Sequence, residues 1–128
     1  MKSRFSILIV AAILLGFTTP YDEDRAELNT LIPRMISLLE EEKIVDFLKM
    51  AVCESQKSII EKVGIEKLAV GFAGRKKDAL LGVLKMIKDQ TPSYSSDGAE
   101  ATYKFEKTVG NKSRIVFLKE QNVWCIKN

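Results

Sequence analysis

The sequence predicts an α+β domain in which several short N-terminal helices pack on a curved antiparallel sheet of three to four C-terminal strands. Between residues 99 and 106, apolar and polar side chains alternate with a period of two, which is typical of a strand with one face on a core. Between residues 32 and 88, apolar residues recur at helical spacings in several short runs. The chain has 128 residues, 46% of them hydrophobic, which is enough for one globular core and too little for two comfortable domains.

Residues 1–18 have the layout of a secretory signal peptide. Lys2 and Arg4 precede an apolar run at residues 5–17, and an acidic stretch follows it. The 13 residues of this run are fewer than the ~20 that a helix needs to span a bilayer. We therefore expect cleavage after Thr18 and an exported protein, either periplasmic or secreted. Two alternatives are an uncleaved membrane anchor formed by the apolar run and, less favoured, an N-terminal core helix.

The charge of the chain depends in part on this leader. Removal of residues 1–18 takes away two of the 20 basic residues and none of the 17 acidic ones, which leaves 18 against 17. The sequence pI of 8.8 therefore gives little support for binding to nucleic acid or to an anionic membrane. We expect neither partner.

The chain after the leader divides into a short polar segment and a single domain. Residues 19–30 are polar and acidic, and are predicted to be a linker or the frayed start of the first helix. Residues 31–128 are assigned to the α+β domain.

Five helical segments are predicted in order. The first has apolar residues at i, i+3, i+4 and i+7 from Ile32, and a second stripe restarts out of phase at Ile44, which predicts a turn or kink at residues 41–43. Two short helices follow, each ended by a glycine suited to a left-handed cap, Gly64 and Gly74. The last helix, at about residues 76–88, has the widest apolar arc and is expected to be the most buried.

The strands follow the helices. A short edge strand is predicted within residues 93–96, and Asp97-Gly98 and Gly110-Asn111 mark turns on either side of the first long strand. The next strand is apolar on both faces at residues 115–118, which suggests burial or contact with a partner. A three-residue loop in the last hairpin would place core anchors, Trp124 and Ile126, on one face, and a second set on the other: Ile115, Phe117, Val123 and Cys125.

Cys53 and Cys125 are the only cysteines, and export would allow a disulfide between them to persist. Such a bond would close a loop of 73 residues, with a ceiling of roughly 4 kcal/mol from chain entropy. However, if Trp124 and Ile126 face the helical core, Cys125 points to the other side of the sheet, away from the end of a core-packed helix. A disulfide and two unpaired apolar side chains both remain open, and we favour the unpaired state.

The end of the chain carries a family resemblance. Leu118, Lys119, Glu120, Trp124 and Ile126 match a terminal motif similar to Val-Lys-Glu-Asp-Gly-x-Trp-x-Ile, with Asn122 in place of the turn glycine. In this respect residues 31–127 resemble small exported bacterial domains of the nuclear transport factor 2-like superfamily. The resemblance implies a curved antiparallel sheet that wraps around helices. Many similar members are uncharacterised, so it implies a scaffold rather than an activity.

No motif predicts a chemistry. The chain contains no histidine and no G-x-S-x-G, H-E-x-x-H or C-x-x-C string, so we predict no catalytic, cofactor-binding or metal-binding residues. Members of the resembled superfamily can use a polar pocket, and Asp46, Tyr94 or Tyr103 could point into one here.

We therefore expect an exported cell-envelope protein that acts as a non-catalytic binding or interaction module. The predicted interaction is homodimerisation, or contact with a protein partner, through the sheet face that carries Ile115, Phe117 and Val123. Two alternatives remain: a small-ligand-binding or enzymatic cone-shaped domain, and an inhibitor or immunity-type protein directed at an exported partner.

Overall fold

The computed structural model describes residues 22–127; the predicted leader and its cleavage position lie outside them. Within this range the helices come first: α1 (Asp22–Arg25), α2 (Leu28–Glu40), α3 (Ile44–Ala51), a 3-10 turn (Glu54–Gln56), α4 (Lys57–Val63), α5 (Ile65–Phe72) and α6 (Arg75–Ile87). Four strands follow: β1 (Ser93–Tyr94), β2 (Glu100–Val109), β3 (Lys112–Glu120) and β4 (Val123–Ile126). The predicted α+β class, with N-terminal helices and C-terminal strands, is confirmed.

The four strands form one antiparallel sheet in sequence order, β1-β2-β3-β4. One face of this sheet packs on the helices through Ala101, Tyr103, Phe117 and Trp124, with Phe105, Ile115 and Ile126 at the margin of the core. These residues share a face because Ala101 pairs with Phe117 and Tyr103 with Ile115, and cross-strand partners point to the same side.

The most buried helix is α2, and the prediction that this place belongs to the helix at residues 76–88 is wrong. Helix α2 buries seven side chains, whereas α6 buries only Val83, Leu84 and Ile87. The wide apolar arc of α6 has a different use. Part of it, at Ala79, Leu80 and Val83, lines an open cleft.

The polar segment at residues 19–30 is helical over the part that the structure describes. Helix α1 occupies part of it, and α2 begins at Leu28, earlier than the predicted start near Ile32. The earlier start has a physical cause, since Leu28 and Leu31 extend the buried stripe of α2 by one turn. The frayed helical start is therefore closer to the structure than the linker.

The predicted turns lie where the sequence placed them. Helix α2 ends at Glu40 and α3 begins at Ile44, with Glu42 in the left-handed region at a φ of 61°. Gly64 and Gly74, at φ values of 96° and 84°, separate the short helices. A side chain is disfavoured at both positions because L-residues rarely adopt such angles.

The last hairpin has a two-residue loop rather than the expected three. Gln121 and Asn122 both have positive φ, 51° and 66°, as a tight hairpin turn of the primed type requires. The shorter loop shifts the register by one residue, so that Phe117 pairs with Ile126 and Lys119 with Trp124. Because side chains alternate, this shift moves Phe117 to the core face.

Within residues 22–127, no helix has both the length and the apolar character that crossing a membrane would require.

Candidate binding cleft

An open cleft of about 1140 Å³ lies between the sheet and helices α3 to α6. Phe47 and Leu48 of α3, Leu68 and Phe72 of α5 and the apolar arc of α6 form its helical side, and Phe105, Ile115 and Ile126 contribute from the core face of the sheet. Pockets for drug-sized ligands usually measure ~300–1,000 Å³, so the cleft has room for a ligand of that class.

The cleft exists because β4 is short. Strand β3 has nine residues and β4 has four, so β4 pairs only with residues 117–120 of β3. One further bond, from the Lys127 amide to the Val116 carbonyl at 2.9 Å, ends this pairing. The first half of β3, from Lys112, therefore has no paired strand on the side of β4, and the cleft opens along this edge.

The lining is mainly apolar and partly accessible. Phe47 and Phe72 stack with their ring centroids 5.5 Å apart, and this pair lies at the boundary between the cleft and the core. Phe47 is 1% exposed, while Leu48, Ile60, Leu68, Leu80 and Phe105 are half-buried. Apolar side chains that are only half removed from water can gain further burial when a ligand binds.

Every charged residue in the lining is a cation. The lining includes Lys67 of α5, Lys76 of α6, Lys112 and Arg114 of β3, and Lys127. All five are exposed, and Lys127 forms an ion pair with Glu100 at 3.0 Å. The cleft therefore combines an apolar interior with a positively charged rim.

Helix α4 and the adjoining α5 form the least tightly packed side of the cleft. Helix α4 buries no side chain, and α5 buries only Ala69. Ile59, Val63 and Val70 on these helices are 56%, 44% and 79% exposed. Few buried contacts give these two helices a lower local stability than α2 has.

A disulfide between Cys53 and Cys125 joins the helical side to the sheet at one end of the cleft. The sulfurs are 2.05 Å apart and the Cα atoms 5.0 Å apart. Cys125 does point away from the core face, as the sequence suggested. The expectation of unpaired cysteines failed at Cys53, because α3 ends at Ala51 and the chain then runs extended beside β4, where Val52 forms a parallel bridge with Ile126.

Glu120 lies close to this disulfide without making a metal site. One ligand atom each from Cys53, Glu120 and Cys125 falls within 4.8 Å of the other two. Metal ions bind cysteine as a free thiolate, and both sulfurs are committed to the disulfide. The Glu120 carboxylate instead accepts a hydrogen bond from the Ser55 amide at 3.3 Å.

The three residues considered for a polar pocket do not line the cleft. Asp46 is half-buried on α3, and Tyr94 is 57% exposed on β1, with its ring 6.2 Å from that of Trp124. Tyr103 packs edge-on against Phe117 at 5.7 Å in the core. Burial raises the pKa of Tyr103 to about 12, with an additional contribution from Tyr94, so the phenol stays protonated near neutral pH.

The proposed sheet-face interface is contradicted as a set. Phe117 is 0% exposed and belongs to the core, and Ile115 lies on that same face and lines the cleft. Val123 lies on the opposite face, because it pairs with Glu120. Of the two expected core anchors, Trp124 is 5% exposed within the core cluster and Ile126 packs against that cluster.

Sequence reasoning missed the cations of the rim. Lys67, Lys76, Lys112 and Arg114 come from three elements and do not form a local motif. One signal was present, since the arc of apolar residues on α6 is wider than a half-exposed helix needs. It was interpreted as burial and not as the side of a cleft.

Comparisons with known proteins add no relative. No family model, no curated protein and no solved structure matches this chain. The resemblance to the nuclear transport factor 2-like superfamily stays a prediction.

Proposed function

We propose that this protein is an exported, non-catalytic binding module that holds an apolar ligand in the cleft between its sheet and helices α3 to α6. The observation that carries this proposal is the lining, in which half-buried leucine, isoleucine and phenylalanine side chains face an open volume of about 1140 Å³. Concave, mainly apolar sites with a few polar groups are the usual form of small-molecule sites.

The composition of the lining favours binding over catalysis. Among its residues, none is aspartate, glutamate, cysteine, histidine or tyrosine, so a general acid or base would have to come from the lysines, and the hydroxyl of Ser113 lies in the lining without a carboxylate or imidazole to activate it. All of these lysines are exposed at the rim. An apolar interior without such groups can retain a ligand but supplies little chemistry.

Two observations support export. Residues 1–18 have the layout of a cleavable leader, and the domain contains a disulfide, a bond that persists mainly in oxidising compartments. Expression of the full chain in an exporting host, followed by N-terminal sequencing of the exported fraction, tests this part. Mature protein that begins at Thr19 is the expected result. Protein that remains in the cytoplasm and retains its leader would contradict it.

The binding part is tested by titration with Nile red, a neutral probe that fluoresces in apolar surroundings. We expect saturable binding to the exported protein and loss of binding in Ala79→Trp, which places a large side chain in the cleft from an exposed position on α6. Gly82→Trp is the matched control, because Gly82 is exposed on the same helix outside the lining and has open space around it.

The Nile red titrations of wild type and the two tryptophan variants decide whether the cleft is a ligand site. Binding to wild type and to the Gly82 variant, with loss in the Ala79 variant, supports a ligand site in the cleft. Absence of saturable binding to wild type, or equal binding to the two tryptophan variants, rejects it.

A further inference from the structure

We propose that the ligand of the cleft is a single-chain amphiphile with an anionic head group, namely a long-chain carboxylate whose chain lies in the apolar interior and whose head group lies at the cationic rim. This inference rests on the proposed function, because it assigns a chemical class to the ligand of the same cleft.

The first argument is the sign of the charges around the cleft. The described residues contain all 17 acidic residues of the chain and 18 basic ones, so the domain as a whole is close to neutral. The cleft lining nevertheless contains five cations and no acidic residue. If acidic and basic residues were spread evenly over this nearly neutral domain, both would occur around the opening. The cleft is therefore a region of local positive charge.

The second argument is that most of these cations have no partner of their own. Across residues 22–127, Lys67, Lys76, Lys112 and Arg114 form no ion pair within 4.0 Å, whereas Lys127 pairs with Glu100. Four uncompensated cations around one opening favour an anion there.

The third argument is that the cations stand beside apolar surface. Lys67 and Leu68 are neighbours on α5, and both line the cleft. Lys76 lines it one helical turn before Ala79 and Leu80 on α6, on the same side of that helix. A head group held by the rim therefore leaves an attached chain next to the half-buried apolar lining. Burial of that chain supplies affinity, and the charge supplies selectivity among chains of equal length.

The test compares three ligands with the same ten-carbon chain, decanoate, decanol and decylammonium, each displacing Nile red from the full exported protein below its micelle-forming concentration. We expect decanoate to bind about tenfold more tightly than decanol, and decylammonium to bind most weakly. The preference for decanoate should shrink as the salt concentration rises from about 0.05 to about 0.5 M, because salt screens exposed charges.

A pair of variants assigns the preference to the rim. Lys112→Gln/Arg114→Gln removes two cations of the lining and should lower the affinity for decanoate about tenfold while leaving that for decanol unchanged. Lys49→Gln/Lys88→Gln removes the same net charge from exposed positions outside the lining and away from β2 and β3, and should change neither affinity.

Each outcome decides the inference. Equal affinity for decanoate and decanol, or tighter binding of decylammonium, overturns the assignment of an anionic head group and leaves an apolar ligand site. Equal effects of the two double variants overturn the role of the rim. Binding to vesicles of anionic phospholipid without binding to monomeric decanoate overturns the inference in favour of a membrane surface. Failure of Nile red and of all three ligands rejects the proposed function itself.

Discussion

Phe117 packs in the core, where its ring lies edge-on against that of Tyr103 with the ring centroids 5.7 Å apart. On an outer face, its replacement would disturb only an interface; at 0% exposure in the core, its replacement removes packing. We expect Phe117→Ala to lower the free energy of unfolding by about 3–5 kcal/mol, because truncation of a buried phenylalanine loses transfer energy and leaves a cavity. Urea-induced unfolding followed by circular dichroism measures the change.

The matched control for Phe117 is Val123→Ala, since Val123 is half-buried on the opposite face of the sheet. Val123→Ala should lower the free energy of unfolding by less than Phe117→Ala does. If Phe117→Ala unfolds with the stability of wild type and changes only the sedimentation of the protein, the core position of Phe117 is refuted.

Tyr103 gives the domain a dependence on alkaline pH. Its pKa is raised by burial from the ordinary value near 10 to about 12 in the folded state. The unfolded chain therefore releases this proton first, so the stabilisation that the neutral phenol provides is complete below pH 10 and is lost as the pH rises towards 12. We expect the free energy of unfolding to fall by about 1.4 kcal/mol per pH unit within this window.

The variant Tyr103→Phe should not show this fall in the free energy of unfolding above pH 10, since phenylalanine has no proton to release. Tyr94→Phe is the matched change at a tyrosine that is 57% exposed. Urea unfolding of the two variants between pH 9 and pH 12 separates them. If the alkaline fall in the free energy of unfolding persists in Tyr103→Phe and disappears in Tyr94→Phe, the effect belongs to Tyr94 and the prediction for Tyr103 is refuted.

At the scale of elements, local signals were enough for the order of helices and strands and not for the register of the last hairpin. The turn around Glu42 and the breaks at Gly64 and Gly74 follow from residue types that end a helix or accept positive φ, so they could be predicted. The sequence KEQNVW is compatible with a loop of either two or three residues between β3 and β4. A difference of one residue decides which side chains of β3 lie on the same face of the sheet as Trp124.

The cleft could not be predicted for a related reason. It depends on β4 ending four residues after the turn, while β3 continues, and on cations at positions 67, 76, 112 and 114 that come from three separate elements. Long-range placement of this kind has no periodic signature. The sequence leaves the disulfide as the less favoured of two alternatives, because its geometry depends on the extended course of Val52 and Cys53 after α3.

The disulfide is the covalent link between two elements that border the cleft. It closes a loop of 73 residues, so its reduction should lower the free energy of unfolding by up to about 4 kcal/mol through the greater entropy of the unfolded chain. Urea unfolding of wild type with and without a thiol reductant measures the difference. In Cys53→Ala/Cys125→Ala, the reductant should have no effect.

Mass spectrometry after alkylation supplies the independent check on this bond. The unreduced exported protein should take up no alkylating agent under denaturing conditions. Two modified cysteines in that sample, together with stability that is insensitive to reductant, would contradict the disulfide.

For the whole molecule, the cleft couples ligand binding to the least stable helices. Helix α4 buries no side chain and α2 buries seven, so the amides of α4 should exchange with solvent faster than those of α2.

A ligand in the cleft would contact Ile59 and Ile60 of α4 together with the sheet. We therefore expect saturating decanoate to slow exchange in α4 and α5 more than the global stabilisation alone would do. Hydrogen exchange read by mass spectrometry distinguishes the two effects, because a ligand at about 100 times its dissociation constant adds about 2.7 kcal/mol to the global stability alone. Protection confined to α2 and the strands, or equal in the Ala79→Trp variant that fills the cleft, would place the ligand elsewhere on the protein.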